Sequence, residues 1–160
     1  MNEVQSILRT VTEINPDAIL TAATIDAECD NGTIRSPLHG IPLLIKNNLA
    51  TQAKNMIQLY YSSDPTAKFP GDATVAAKLR VAGIIILEKA NLSQSARYRS
   101  FDSSSVWAAN GGQILGVYYP DMYTRGSLVG LALASLGTEM SIIILSTSSI
   151  NNSVGIKHTV

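Results

Sequence analysis

The residue with the most chemical promise is Lys46, which closes the run GIPLLIK at residues 40–46. IPLLI is apolar on both alternating faces, the pattern of a short strand buried from both sides. Lysine is among the side chains least often fully buried, so a lysine at the carboxyl end of such a strand calls for a reason. In open α/β sheets, ligands gather at the carboxyl ends of the strands. An amine screened from water there loses proton affinity and can take a proton from a hydroxyl nucleophile. Position alone also fits a plain solvated lysine at a strand end.

The other reactive types offer less. Cys29 is the single cysteine, so no internal disulfide can form. With no His or Lys beside it in sequence, it reads as a small apolar residue on a helix rather than an activated thiol. His39 and His158 lie far apart in sequence and make no metal-ligand spacing; both read as structural. Neither a metal nor an organic cofactor is expected.

The elements that would position Lys46 can be read from periodicity. Val4, Ile7, Leu8, Val11 and Ile14 recur at helical spacing and predict an amphipathic helix at the start. Asn15 caps a second helix in this reading, with Pro16 in its first position and Asp17 at the positive end of its dipole. Ala18, Ala22, Ile25 and Ala27 or Cys29 carry that helix to a stop at Asn31-Gly32. GDATVAAKLRVAG, residues 71–83, predicts a further helix, capped by Asp72, lined by Val75, Ala76, Leu79 and Ala82, and ended by Gly83. IIILE follows at once as a buried strand. Strand, crossover helix and strand make the grammar of a parallel α/β sheet. NLSQSARYR reads as a short helix with Asn91 or Ser93 as its cap, and residues 102–116 as a long ordered loop. IQLYYSS reads as a candidate strand, LVGLALASLGTE as a short helix or buried strand, and SIIILS as a strand.

Composition sets the outer limits. The chain has 160 residues with 46% hydrophobic content, enough for one domain with a core, and twelve basic residues balance twelve acidic ones. That balance favours neither nucleic acid nor an anionic membrane. No apolar run approaches the ~20 residues that cross a bilayer. The N-terminus lacks the basic region and apolar block of a signal peptide, so a cytoplasmic location is expected.

GTIRSPLHGIPLLIKNNLAT, GDATVAAKLRVAGIIILEKANLSQ, the SSS-W-A-GGQ loop, GLALASLGTE and NNSVGIKHTV, in that order, resemble the amidase signature family, most of all its fungal branch. The similarity runs over nearly the whole chain. It implies an α/β fold with a mixed β-sheet flanked by helices, present as its N-terminal half only, so that residues 1–160 form a single partial amidase domain. Family members hydrolyse carboxylic amides, and some act on esters, with a Ser–cis-Ser–Lys triad. The resemblance places the catalytic base at Lys46, and Ser127 and Ser141 are the serines available for the other two roles.

Measured against the family pattern, those two roles are poorly served. The G-S-S-S-G type of loop that carries the bridging serine is reduced here to Gly126-Ser127 within MYTRGS. Counting without gaps from Gly137 to the GIKHTV block puts Ile142 and Ile143 at the positions of the family's Gly-Ser pair, the serine of which is the nucleophile. Ser141 stands two positions early, an offset of about 6–7 Å along an extended strand, whereas a misplacement of ~1 Å can cost a hundredfold in rate. The oxyanion-holding turn depends on glycine's freedom, which Met140, Ile142 and Ile143 lack. The Asp that usually follows the lysine is Asn47 here, and the expectation is a fold that departs from the family's between Met122 and Ser149. Three readings follow: a truncated, catalytically impaired amidase; an active amidase or esterase with rearranged serines; or a non-catalytic module that binds a small amide or a completing protein chain. Self-association is expected where buried strands such as SIIILS present a free edge.

Overall fold

The computed structural model describes residues 2–52, 70–93, 106–109, 111–116, 135–138 and 154–156. Their order is α1 (Asn2–Leu8), β1 (Val11–Ile14), α2 (Ala18–Asp30), β2 (Pro42–Lys46), α3 (Thr74–Val81), β3 (Ile85–Ala90), β4 (Trp107–Ala108), β5 (Gly112–Gln113) and β6 (Ser135–Leu136). The strands make a four-stranded mixed sheet in the order β1-β3-β2-β6 and a separate β4-β5 pair.

The centre of the sheet is the unit expected from the sequence. β2 runs parallel to β3, with Pro42 opposite Ile85 and Lys46 opposite Ala90, and a register shift between Leu43 and Leu44. Leu44 and Ile45, neighbours that point to opposite faces, are 1% and 0% exposed, so β2 is covered on both sides. One face carries the main apolar cluster of Leu43, Ile45, Ala76, Ile84 and Ile86, with Leu49, Ala73, Leu79 and Leu136 packed against it. Ala76 and Leu79 come from α3, which therefore closes that face.

Gly83 makes the turn from α3 into β3. Its φ is +85°, a region where a side chain is strained, and a Cβ there would meet the His39 ring at 2.3 Å. Gly40 N donates to the Gly83 carbonyl (2.9 Å), which joins the entry loops of β2 and β3.

The amino-terminal helix is shorter than its periodicity predicts. Arg9 takes a positive φ of 54°, and Val11 to Ile14 form β1, antiparallel to β3 with Val11 opposite Ala90 and Ile14 opposite Glu88. The free edge of β3 offers β-branched Val11, Thr12 and Ile14 a ladder that suits them better than a helix. The Gln5 side-chain amide bonds both the N–H (3.0 Å) and the carbonyl of Val11, blunting this edge strand.

Two helix caps are also reassigned. α2 has Asp17 at its N-cap, while Asn15 accepts from Asp17 N (3.0 Å) and donates to the Ile86 carbonyl (2.6 Å), tying the helix entry to the sheet. α3 has Ala73 at its N-cap with no side-chain cap. Asp72 instead accepts from Gln52 N (2.6 Å) and Arg80 Nε (2.9 Å). The stop at Asn31-Gly32 holds, with Gly32 at φ +73°. Cys29 is on α2 as expected but is exposed, whereas Ala18 and Ile25 supply the buried side of that helix.

Residues 106–116 carry the β4-β5 pair, Trp107 opposite Gln113 and Ala108 opposite Gly112, rather than loop throughout. Of LVGLALASLGTE, expected as a short helix or buried strand, residues 135–138 are described, and Ser135–Leu136 form β6 beside β2. The segments IQLYYSS and SIIILS, and most of NLSQSARYR, lie outside the described residues. No described helix is long and apolar enough to cross a membrane.

Candidate active site

Lys46 is the last residue of β2 and is 4% exposed. Its neighbours on both sides explain the burial: β3 flanks it through the Ala90 register pair, and β6 lies on the other edge of β2. The chain leaving β6 brings Thr138 over the strand end. Lys46 Nζ donates to Thr138 Oγ1 (2.9 Å) and to the Thr138 carbonyl (3.3 Å). Asn48 Nδ2 donates to the same hydroxyl oxygen (2.9 Å). One threonine thus gathers the two polar side chains that leave β2.

The turn beyond Lys46 is held along its length. Asn47 N donates to the Ala90 carbonyl (2.9 Å), extending the β2–β3 ladder by one rung, and Leu49 N donates back to the Lys46 carbonyl (2.9 Å). Ala73 N donates to the Ala50 carbonyl (2.9 Å), and Gln52 N is held by Asp72. Asn47 is 2% exposed, and among the described residues neither atom of its side-chain amide has a partner; the Asn48 Oδ1 atom is likewise buried without one there. Orphaned polar atoms of this kind are rare and costly, and three of them here sit within two residues of Lys46.

A second lysine lies on the neighbouring strand, one register position before the partner of Lys46. Lys89, on β3, is 0% exposed, and its ammonium donates to the Leu49 carbonyl. Burial pulls its pKa from 10.5 down to about 8; Glu13 and Asp72 oppose the fall and Arg80 adds to it. Its neighbour on β3, Glu88, is 2% exposed, and burial pushes that carboxyl up. Neither residue was legible as special within IIILEKA. Their only signal is two charges closing an apolar run, and the groups facing Lys89 come from distant parts of the chain.

The histidine and cysteine expectations can be placed where the structure describes them. His39 has a side chain 3% exposed, with Nε2 3.9 Å from Glu28 Oε2 and Nδ1 accepting from Arg35 N (3.4 Å). It packs under Gly83 on the loop before β2, away from the strand's carboxyl end. Cys29 sits at the far end of α2. His158, Ser127 and Ser141 lie outside the described residues, as do Ile142 and Ile143, so the structure brings Lys46 together with Thr138 and Asn48. Thr138 belongs to the GTE of the block GLALASLGTE, which carries the family resemblance but does not announce an acceptor for the lysine.

Chemically, the strand end holds an amine within hydrogen-bonding distance of a hydroxyl and shielded from water, with backbone carbonyls fixing the turn around it. Such an arrangement can move a proton at Nζ.

Residues 1–110 match the family model for amidases. An amidase-family protein of Arthroderma benhamiae is 43% identical over 166 residues, covering 99% of this chain and 28% of that protein. The structure of a peptide amidase in complex with the competitive inhibitor chymostatin superposes with a TM-score of 0.81 at 39% identity, covering 90% of this chain and 31% of the other. The native peptide amidase of Stenotrophomonas maltophilia gives a TM-score of 0.67 at 43% identity, over 75% of this chain and 24% of that one. The chain spans less than a third of the length of each of these three proteins, and it matches the N-terminal portion of the amidase fold. On this sequence match and this superposition, the chain belongs to the amidase family.

Proposed function

We propose that this domain is built for the hydrolysis of carboxylic amide C–N bonds and that its own turnover is impaired. Lys46 carries the reading: it is buried at the carboxyl end of β2 with Nζ 2.9 Å from the Thr138 hydroxyl. In an intact site of this kind a serine hydroxyl attacks the amide carbonyl, the lysine accepts its proton through a bridging serine, and the same proton is returned to the departing amine. In this reading Lys46 takes the acceptor role. The impairment is argued from residues 142 and 143, where isoleucines replace the glycine and serine of the attacking turn; a hydrocarbon side chain has no lone pair with which to attack. The amides named by the peptide amidase relatives are the substrate class to try first.

The purified chain is treated with a serine-directed fluorophosphonate alongside an active amidase as positive control. The expected result is labelling of the control and none of this chain. Labelling that Lys46→Ala abolishes, together with Ser127→Ala or Ser141→Ala, overturns the impairment and establishes the rearranged-serine enzyme instead.

A second reading, a module completed by another protein chain, has its own observation. α2 presents Ile19 and Leu20, consecutive in sequence and 85% and 70% exposed, and this reading takes that apolar end of the helix as the contact surface. A chain that stays monomeric by light scattering at all accessible concentrations contradicts self-association through that face.

A further inference from the structure

We propose that Lys89 is the positioning residue for Lys46: its buried ammonium grips the Leu49 carbonyl and so locks the turn that aims the Lys46 side chain. The connection is short and continuous. Lys89 Nζ donates to the Leu49 carbonyl, and Leu49 N donates to the Lys46 carbonyl at 2.9 Å. From the other end, Asn47 N is fixed on Ala90, the residue that follows Lys89 on β3. The turn 46–49 is therefore clamped to β3 at two points, one a ladder bond of the backbone and one a side-chain ammonium.

Charged groups of both signs surround the ammonium. Glu13 on β1 stands opposite Lys89 in the antiparallel register. Asp72, ahead of α3, attracts it and Arg80 on α3 repels it, and these two are themselves joined at 2.9 Å. Ile45 is its register partner on β2, and the lysine has no exposed surface. A charge-assisted bond in such surroundings is about twice as strong as a neutral one. The shift of its pKa to about 8 follows from the same burial.

The inference rests on the reading of Lys46 as the proton acceptor, but its test does not use turnover. Leu49 amide exchange is followed by NMR, and the acylation of Lys46 by acetic anhydride by mass spectrometry, in the full chain and in Lys89→Met and Lys89→Arg. Loss of one charge-assisted bond predicts at least about tenfold faster exchange at Leu49 in Lys89→Met. It also predicts faster acylation of Lys46, which leaves its contact with Thr138, while the Ile45 amide stays protected. Lys89→Arg, which keeps a cation, restores both in part. Where Lys89→Met does not fold, the unsubstituted chain decides. Leu49 exchange, corrected for its intrinsic pH dependence, must rise with the same midpoint as the Lys89 ¹³Cε titration. Unchanged Leu49 exchange and Lys46 acylation in a folded Lys89→Met, or a Leu49 amide indifferent to the Lys89 titration, overturns the proposal. Either result leaves the amidase reading where its own labelling experiment puts it.

Discussion

Lys89→Met should abolish a rise in stability that the unsubstituted chain shows in alkaline solution. In the folded chain Lys89 gives up its proton near pH 8; in the unfolded chain an ordinary lysine does so near 10.5. Between those values the unfolded chain binds more protons, so unfolding becomes harder as pH rises. This is the reverse of the usual lysine that gains a partner, because here burial outweighs the attraction of Glu13 and Asp72. A gap of about 2.5 pH units at 1.36 kcal/mol per unit gives about 3 kcal/mol across the window. The penalty is fully present below pH 8 and gone above 10.5. Urea unfolding followed by far-ultraviolet circular dichroism at pH 7, 8, 9 and 10 measures it. Tyrosines and surface lysines also titrate there, so the quantity to read is the difference between the two proteins, which isolates residue 89. Parallel stability–pH curves for the unsubstituted chain and Lys89→Met would refute the reasoning, since they would mean that the ammonium is hydrated in the folded state.

Gly83→Ala should lower stability by about 2 kcal/mol in urea unfolding, the cost of a left-handed alanine plus the displacement of His39, whose ring lies 2.3 Å from the new Cβ. Adding His39→Ala should recover the steric share and leave the backbone share, so the two substitutions should be strongly non-additive. Thr138→Val removes the oxygen that accepts from both Lys46 and Asn48; it should cost about 1–3 kcal/mol and make Lys46 acylate faster, read by mass spectrometry. Ile19→Glu with Leu20→Lys should leave unfolding within about 0.5 kcal/mol of the parent, as surface changes do, while light scattering shows less self-association. A destabilised double variant would mean that the α2 face is packed within the chain itself.

How far the sequence reveals the molecule depends on whether a signal is local. The β2–α3–β3 unit is legible because its parts are self-contained: an apolar run too short for a helix, a helix ended by glycine, and a second apolar run at once. Residues 11–14 mislead because Val11 and Ile14 are three apart, which satisfies a helical stripe. The same two residues are β-branched or paired across an available sheet edge, and long-range pairing with β3 prevails over local period. Asp72 has the right type and place for an N-cap, but Gln52 N and Arg80 compete for its oxygens, and a charge-assisted bond to Arg80 prevails.

For the site, Lys46 is legible from chain grammar, since a lysine ending a strand buried on both faces is an anomaly with a stated location. Thr138 and Lys89 are not, because the hydrogen bond that gives each its place joins residues 40 or more positions apart. The orphaned amide of Asn47 belongs to the same class. In sequence it is one polar residue after a strand; in the fold it is 2% exposed beside a ladder rung, with its own N–H committed to Ala90.

In the proposed reading a proton acceptor stands at the end of β2 and isoleucine occupies the place of the attacking serine. Ammonia release from a peptide amide by the purified chain, measured beside Lys46→Ala, Ser127→Ala and Ser141→Ala, decides it. The expected release is at the level of the blank for all four proteins. Release above the blank from the unsubstituted chain, abolished by Lys46→Ala and by either serine substitution, would contradict it.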